Sequence, residues 1–430
     1  MDPGQAKDLC ETKSTMVPSQ MIPLVRPFRA LRPSPSFATG VAAPPYDVLN
    51  SAEAKQRAAG KPYSFLHISK PEIDLPEGTD VYGPAVYAKG AENLQTLIKD
   101  GVLIRDTAPC YYVYRMRMGA HTQTGLAFAA SVADYDTNKI RKHEFTRPDK
   151  EDDRVRQIEA LNTQTGPVLL AYRKHMELQN ILMAATAASP LYEVVADHGV
   201  VHSVWRIEDA AVIARITATF AKMNTLYIAD GHHRSAAASR VAAGRRGKSV
   251  SDSAESFLAV AFPHDQMRIF DYNRVVKDLN GLTQKDFLAK VAERFVITPH
   301  DGQVRPPSPT HFGMYIGKTW HALAIKPQLL PDHDPVAQLD VSLLQDNLIS
   351  PVLGITDPRR DKRIDFVGGI RGLNELEARV NSGEMVVAFA LHATRMDQLM
   401  AVADAGEFMP PKSTWFEPKL ADGLLSHVLD

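Results

Sequence analysis

The feature that most limits the possible folds is a junction at Asp230-Gly231, where one kind of secondary structure must change directly into another. The apolar residues 225–229 before it predict a short buried β-strand, and the alanine-rich residues 235–242 after it predict a helix. Only five residues separate the two patterns, and Gly231 among them tolerates a left-handed backbone. The chain must therefore pass from a strand into a helix at this position with almost no connecting loop.

The polar residues of this junction suit a bound anion. A helix that starts here directs unpaired backbone N–H groups at one point, which favours phosphate. Arg234 can donate two parallel hydrogen bonds to a phosphate or a carboxylate, and Asp230 can cap the helix, hold a metal-bound nucleotide or accept a proton. We expect His232 and His233 to donate hydrogen bonds to phosphate or to take part in proton transfer. The alternative is that Asp230 is only a cap and that the histidines are polar residues of a buried turn.

No set of metal ligands is predicted from the sequence. Adjacent side chains point about 100° apart on a helix and to opposite faces of a strand, so His232 and His233 are a poor pair for one ion.

The overall composition narrows the class of protein. The 430-residue chain has 49 Lys plus Arg and 50 Asp plus Glu, a balance that argues against broad electrostatic binding of nucleic acid. Its two cysteines, Cys10 and Cys110, exclude a disulfide framework and favour a reducing compartment. There is no apolar run of about 18 residues, so no membrane-spanning helix is expected. We therefore predict a cytoplasmic protein with no membrane or nucleic-acid partner, and its oligomeric state is not readable from the sequence.

Strands and helices follow one another without strict alternation, which predicts an α+β fold of mixed sheets with packed helices. We expect a disordered leader over residues 1–20, a catalytic core region over 21–303 and a C-terminal α+β region over 304–430. The proline-rich segment near Val304 is either a linker or a loop, so the last region is either separate or packed on the same core. Asn50 or Ser51 is expected to cap one helix.

The sequence KHEFTRPDKEDDR contains a second group of candidate residues. His143 and Glu144 are neighbours, and a carboxylate beside an imidazole can serve proton transfer. A helix is expected to follow, capped by Thr146 or Asp149, and it is either part of the site or a salt-bridged surface helix. The substrate-binding candidates in and after this segment are His143, Lys150, Arg154 and Asn162.

Three further segments supply candidates. The glycine-rich sequence KRIDFVGGIRG offers Arg371, although a plain tight turn explains it equally well. Lys412, Ser413 and Thr414 suit a phosphate or magnesium shell, but no glycine-rich loop precedes them, so they are not a Walker motif. The rigid turn PPYDV carries Asp47, which can accept a hydroxyl proton if the fold brings it beside Asp230.

Two resemblances add to these patterns. Asp-Gly-His-His-Arg between a strand and a helix resembles the nucleotide-site signature of the superfamily that contains ParB, sulfiredoxin and the free-serine kinases. A second resemblance, to domain-of-unknown-function family 1015, runs from VRPFRALRP near Arg26 to KSTWFEPKL ending at Leu420. It includes PPYDV, YSFLHISKPEIDLPEGTD, HEFTRPDKEDDR, YIADGHHR, DKRIDFVGGIRG and MPPKSTWFEPKL. The first resemblance implies a ParB/sulfiredoxin-like core in which residues 231–234 hold nucleotide phosphates.

The leading hypothesis is a kinase that uses ATP or ADP, with Mg²⁺, and the resemblance implies free L-serine as the first hydroxyl acceptor to test. Its expected catalytic residues are Asp47, Glu144, Asp230 and His232, with Asp47 or Glu144 receiving the hydroxyl proton. One alternative is a hydrolase of a phosphate ester or nucleotide that uses the same anion site. Another is a nucleotide-responsive regulatory protein that binds without turnover.

Overall fold

The computed structural model describes residues 22–248 and 251–430. It confirms the predicted mixed α+β fold, in which helices pack against several sheets. The expected leader over residues 1–20 lies outside the described residues. Within the described part of the chain, no helix is long and apolar enough to cross a membrane.

The described residues form 21 strands. They are β1 Val25–Arg26, β2 Ala30–Pro33, β3 Leu103–Arg105, β4 Tyr111–Met118, β5 His121–Ser131, β6 Ile140–Arg141, β7 Thr163–Gln164, β8 Val168–Tyr172, β9 Tyr192–Val195, β10 Val201–Ile207, β11 Leu226–Asp230, β12 Ser256–Pro263, β13 Ile269–Phe270, β14 Tyr272–Val276, β15 Phe295–His300, β16 His311–Ile316, β17 Thr319–Ile325, β18 Ile364–Gly368, β19 Val387–Leu391, β20 Trp415–Phe416 and β21 Ser426–Val428.

The same residues form 13 α-helices. They are α1 Ala38–Val41, α2 Ser51–Ala58, α3 Leu66–Ser69, α4 Pro84–Lys99, α5 Val132–Asp136, α6 Pro148–Leu161, α7 Met176–Ala185, α8 Ala210–Ala221, α9 His232–Arg245, α10 Gln284–Arg294, α11 Asp340–Leu344, α12 Leu373–Asn381 and α13 Met396–Asp404.

The largest sheet has its strands in the order β6-β11-β8-β12-β5-β4-β10-β9, with β1 also paired to β5. The apolar sequence of β12 is buried along its whole length, because β12 lies in the interior of the sheet with β5 and β8 on either side. Successive residues of β4 contribute to different apolar cores, with Tyr112 in one and Val113 in the other. Both faces of this sheet are therefore covered.

A six-stranded antiparallel sheet has the order β15-β17-β16-β19-β14-β18. Two of its strands, β14 and β15, precede Val304 in the sequence, and the other four follow it. One continuous apolar cluster contains Tyr114 of the large sheet and Met314 of this sheet. The segment around Val304 thus lies between strands that pair within a single sheet.

The two ends of the described chain meet in a four-stranded sheet of order β3-β2-β21-β7. On the way to β21 the closing segment runs past the large sheet, where the N–H of Ala421 donates to the Tyr114 hydroxyl at 3.3 Å. The N–H of Asp422 bonds to the carbonyl oxygen of Ala43 at 2.9 Å. These contacts hold the end of the chain beside β11 and the turn that carries Asp47.

Local sequence patterns predicted some helix ends correctly and others incorrectly. Asn50 caps α2 in a capping box with Glu53, as predicted. The caps expected for α6 are wrong, because Pro148 occupies the first turn and Arg147 takes the capping position with no side-chain cap bond. Helix α9 begins at His232, three residues before the alanine-rich pattern that predicted it.

The close approach of β5 to β12 depends on Gly125. A Cβ atom there would lie 2.3 Å from the carbonyl oxygen of Ala261 and 2.7 Å from the ring of Phe262. We expect Gly125→Ala to lower the free energy of unfolding by about 1–3 kcal/mol, because the two strands must separate to admit the methyl group. Urea denaturation followed by circular dichroism measures this change.

The matched control is Gly244→Ala in α9, where a Cβ atom meets nothing within 4 Å. Replacing a helical glycine by alanine raises stability by about 0.5–1 kcal/mol where the space is open. If both variants shift the urea midpoint in the same direction, the strand-packing explanation for Gly125 is wrong.

Candidate functional site

The backbone at the end of β11 forms the centre of the candidate site. Gly231 has φ +98°, a left-handed conformation, and α9 starts at the next residue. The first helical hydrogen bond runs from the N–H of Ser235 to the carbonyl oxygen of Gly231 at 3.0 Å. The N–H groups of the preceding turn have no acceptor inside the helix, as at any helix start. The junction therefore provides the anion-favouring backbone that the sequence predicted.

Gly231 is also required sterically. A Cβ atom at this position would lie 3.3 Å from Cα of Val168 and 3.3 Å from Nε of Arg234. Because the φ angle is positive as well, any side chain here would be strained. The turn can bring the helix start this close to β8 only with glycine.

Arg234 is mostly used inside the protein. It is 9% exposed, its Nη1 donates to the carbonyl oxygen of Pro167, and its Nη2 lies 3.3 Å from Asp47 and 3.5 Å from Asp230. Burial lowers the pKa of Arg234, but the carboxylates of Asp47 and Asp230 outweigh it and hold the pKa above its usual value. Its Nε makes no hydrogen bond to any described residue. Arg234 thus orients two carboxylates, and its Nε is the guanidinium nitrogen for which the described residues supply no acceptor.

The structure brings Asp47 beside Asp230, from a turn 183 positions earlier in the chain. Asp230 also accepts a hydrogen bond from Nζ of Lys419 at 3.2 Å. Burial raises the pKa of Asp230, yet the charges of Lys419 and Arg234 exceed this effect and lower it well below the usual range. Asp230 is therefore an ionised carboxylate, suited to bind a cation and unsuited to accept a proton near neutral pH.

His143 and His232 meet edge to face, with ring centroids 4.4 Å apart. The backbone N–H of His143 donates to Nε2 of His232 at 3.3 Å, and Nδ1 of His232 lies 3.8 Å from a carboxylate oxygen of Glu144. Burial lowers the pKa of His143 to about 4 and also lowers that of His232, so both rings are neutral. For Glu144, burial and the charge of Asp230 raise the pKa.

His233 points away from this pair. Its Nε2 accepts a hydrogen bond from the backbone N–H of Arg147 at 3.0 Å, so the other ring nitrogen carries the proton in the neutral form. Burial lowers the pKa of His233. The two adjacent histidines therefore serve different surroundings, in agreement with the expectation that they do not form a metal pair.

A small pocket lies beside Arg234. The residues that line it include Tyr46, Ser69, Arg154, Gly166, Arg234 and Asp422. Three buried polar atoms there, Ser69 Oγ, Arg234 Nε and Asp422 Oδ1, have no hydrogen-bond partner among the described residues. Burial raises the pKa of Asp422 to about 7, with Asp47 adding to the effect and Arg234 opposing it. The pocket can bind water or a polar ligand group at these atoms.

Other predicted residues lie around this centre. Arg154 covers the Tyr46 ring at 3.9 Å and borders the pocket, so the inner face of α6 is packed rather than a surface of salt bridges. The charge of Lys412 acts on Glu144, while Ser413 is buried and donates to the carbonyl oxygen of Pro410 at 2.6 Å. Thr414 is half-buried next to it.

Three predicted residues contact other parts of the molecule. Lys150 donates to the Tyr82 hydroxyl at 2.8 Å. Asn162 ends α6 in a left-handed conformation and bonds to Arg245. Arg371 is exposed and lies 3.7 Å from Glu375 at the start of α12. None of the contacts described for these three side chains joins them to residues 230–234.

Lys419 and Asp422 are the site residues that the sequence patterns missed. Both lie in the closing segment, after the aromatic pair Trp415-Phe416. A lysine and an aspartate among apolar residues near a chain end were the available signal, since charged residues are seldom buried unless they are paired. Their partners are about 190 residues away in the sequence, so no local pattern identifies the pairing.

Several solved structures resemble the fold. SbnI from Staphylococcus aureus, with a C-terminal truncation, has a TM-score of 0.38 and 13% identity, over 69% of this chain and 85% of its own. A conserved hypothetical protein from Pyrococcus furiosus has a TM-score of 0.34 and 14% identity, over 70% and 94%. A free serine kinase in complex with AMP has a TM-score of 0.33 and 13% identity, over 68% and 86%. We draw no functional conclusion from similarities at this level.

The sequence itself gives a clearer result. No curated protein matches the chain. The sequence model of one protein family matches residues 25–342, about three quarters of the chain, which is the family that the motifs resemble. The motifs DKRIDFVGGIRG and MPPKSTWFEPKL lie beyond the matched residues. The chain therefore belongs to the family described as protein of unknown function DUF1015.

Proposed function

We propose that this chain binds the phosphates of ATP or ADP at the start of α9 and transfers a phosphoryl group to the hydroxyl of a small molecule. The observation that carries the proposal is the strand-to-helix turn at Gly231, whose backbone favours an anion and which lies beside Lys419. A basic side chain next to a helix start supplies the charge that a polyphosphate needs.

Magnesium has suitable ligands in the same place. Asp47 and Asp230 are both partly exposed carboxylates near one guanidinium group, and oxygen donors are the ligands that Mg²⁺ prefers. Asp230, which stays ionised, would hold the ion together with the nucleotide phosphates, and the ion would neutralise charge on the transferring phosphate. The carboxylate of Asp47 is then left for the acceptor's proton. Arg234 sets the positions of both carboxylates.

In the proposed reaction the acceptor oxygen attacks the terminal phosphorus, the bond from that phosphorus to the bridging oxygen breaks, and the nucleotide leaves with that electron pair. The acceptor's proton passes to Asp47, the partly exposed carboxylate of the rigid turn. Free L-serine is the first acceptor to test, because the Asp-Gly-His-His-Arg motif resembles that of the free-serine kinases. Arg154 and Arg234, which border the pocket beside the turn, suit the carboxylate of such an acceptor.

The first test concerns nucleotide binding. We expect Lys419→Met to weaken ATP and ADP binding at least about tenfold, because the change removes a cation beside the turn and leaves Asp230 paired with Arg234 alone among the described cations that contact it. Isothermal titration calorimetry with Mg²⁺ measures the affinity.

The matched control is Lys285→Met, which changes an exposed lysine of α10. It should bind nucleotide as the unchanged protein does. If the unchanged protein binds neither ATP nor ADP, the proposal is wrong, and sugar phosphates and other small anions become the ligands to test.

The second test concerns the chemical step. We expect Asp47→Asn to reduce serine-dependent turnover at least about 100-fold, because the amide cannot accept the hydroxyl proton. Phosphoserine formation measured by mass spectrometry gives the rate. A separate titration should find nucleotide affinity changed by less than the turnover.

The same assays separate the alternatives. Nucleotide turnover that does not depend on serine or any other hydroxyl acceptor would favour a hydrolase with an activated water. Binding without turnover would favour a nucleotide-responsive regulatory protein. Turnover by Asp47→Asn equal to that of the unchanged protein would remove Asp47 as the proton acceptor.

The ionisation of Asp422 in the proposed site makes the free energy of unfolding depend on pH. Asp422 has a pKa of about 7 in the folded chain, against about 3.9 for an unfolded aspartate. Between these two pKa values the folded chain keeps a proton on Asp422 that the unfolded chain has lost. The stability that this proton contributes is fully present below about pH 4 and is lost as the pH rises through about 7. We expect Asp422→Asn to flatten this fall in unfolding free energy, measured by urea denaturation from about pH 5 to about pH 8. Asp301→Asn, at an exposed position, should leave the slope unchanged.

A further inference from the structure

Next to the helix start, three side chains form a cluster that the proposed nucleotide chemistry does not use. One nitrogen of His143, one of His232 and a carboxylate oxygen of Glu144 all lie within 4.8 Å of one another. The two histidines are 2% and 5% exposed, and the Glu144 side chain is 46% exposed. The cluster is thus buried on two sides and open to solvent on the third.

His143 is the unusual member of the cluster. It is almost fully buried, yet neither of its ring nitrogens makes a hydrogen bond of normal geometry to a described residue. Buried polar atoms are seldom left without a partner. A nearly buried histidine whose ring nitrogens have no hydrogen-bond partner among the described residues is available to bind a metal ion.

The spacing of the donor atoms fits a site that closes on an ion. Zinc binds imidazole nitrogen at about 2.0–2.1 Å and carboxylate oxygen at about 2.0–2.2 Å, so donors around one ion lie roughly 3–4 Å apart. The 3.8 Å between His232 Nδ1 and Glu144 is already in this range. The remaining pairs lie within 4.8 Å, so each needs to close by at most about 1 Å to reach the upper end of this range. Glu144 can supply that movement because its side chain is partly exposed.

We propose that His143, Glu144 and His232 bind one divalent transition-metal ion, with zinc the first candidate and a further position open to water or a phosphate oxygen. Two imidazoles and one carboxylate are the donors of several catalytic zinc sites and of non-haem iron sites. Magnesium prefers oxygen donors and would favour the carboxylate of Asp230 and the nucleotide phosphates instead. The proposal goes beyond the proposed function, since nucleotide binding at Gly231 does not require it.

Binding has an identifiable cost at His232. Coordination through Nδ1 places the ring proton on Nε2, which breaks the bond that Nε2 now accepts from the N–H of His143. The buried N–H of His143 would then face the ring N–H of His232, so the ring must turn away from it, and the three coordinate bonds have to offset this loss. The nearby charges partly cancel, since Asp230 attracts a cation to Glu144 while Lys412 and Lys419 oppose it.

The test uses the full chain with any affinity tag removed, stripped with a chelator and then exchanged into clean buffer. Titration with Zn²⁺ should find one ion per chain, and Co²⁺ should give the ligand-field absorption of a bound ion. We expect Glu144→Gln and His143→Ala each to weaken Zn²⁺ binding at least about tenfold and to remove the Co²⁺ band. Glu144 is partly exposed, so Glu144→Gln remains informative if His143→Ala does not fold.

The matched controls are Glu159→Gln and His300→Ala, which change an exposed glutamate and an exposed histidine elsewhere. Both should keep the Zn²⁺ affinity and the Co²⁺ band. Equal Zn²⁺ affinity in the cluster variants and the controls would overturn the proposal, as would an absence of Zn²⁺ binding or a cluster that binds only Mg²⁺. Nucleotide titration of the stripped protein with added Mg²⁺ is a separate readout, so either proposal can fail without the other.

Discussion

The ion pair between Lys419 and Asp230 is the contact on which the arrangement of the site depends. It joins the end of β11 to the closing segment, and Arg234 extends it to Asp47 near the start of the chain. Each of these charges is costly to remove from water on its own, and each is tolerated because its partners are fixed within hydrogen-bond distance. The site therefore exists only when the early turn, the central strand and the final segment are all in place.

The carboxylates around Arg234 differ in charge because they share too few cations. Arg234 lies among three carboxylates, those of Asp47, Asp230 and Asp422. One guanidinium group cannot neutralise all of them in a buried setting, and the excess is relieved at Asp422, whose pKa rises to about 7 because of burial. Asp230 stays ionised since it has Lys419 as a second cation. The two carboxylates thus differ in protonation although both lie near the same arginine.

The sequence predicted those parts of the fold that local patterns determine. The strand before Asp230 follows from its apolar residues, and the cap at Asn50 follows from side-chain capping. The start of α9 was misplaced because its first turn is polar, and helix periodicity is visible only from the alanines onward. The left-handed turn at Gly231 was predictable from the residue type, because glycine adopts this backbone conformation without strain.

The site was only partly predictable, because its decisive contacts join residues far apart in the chain. The position of Asp47 beside Asp230 was stated as a condition of the fold, and the structure meets it. The fork of Arg234 was expected to face a ligand, yet both of its terminal nitrogens bond within the protein, to Pro167 and Asp47. His143 and His232 meet edge to face although they lie in separate segments of the chain. In the sequence each segment is only a polar stretch, and nothing local indicates that the two are in contact.

Two different sets of donors therefore lie near one helix start. Asp47 and Asp230 offer oxygen atoms held by cationic side chains, whereas His143 and His232 offer neutral nitrogens held by burial. A hard ion such as Mg²⁺ prefers the carboxylate oxygens, whereas a softer ion such as Zn²⁺ also binds the imidazole nitrogens. The two kinds of ion can therefore bind at separate positions near the same turn. Glu144 lies between the sets, near enough to interact with Asp230 and to contact His232. An ion bound to one set of donors would therefore act on the other set through the carboxylate of Glu144.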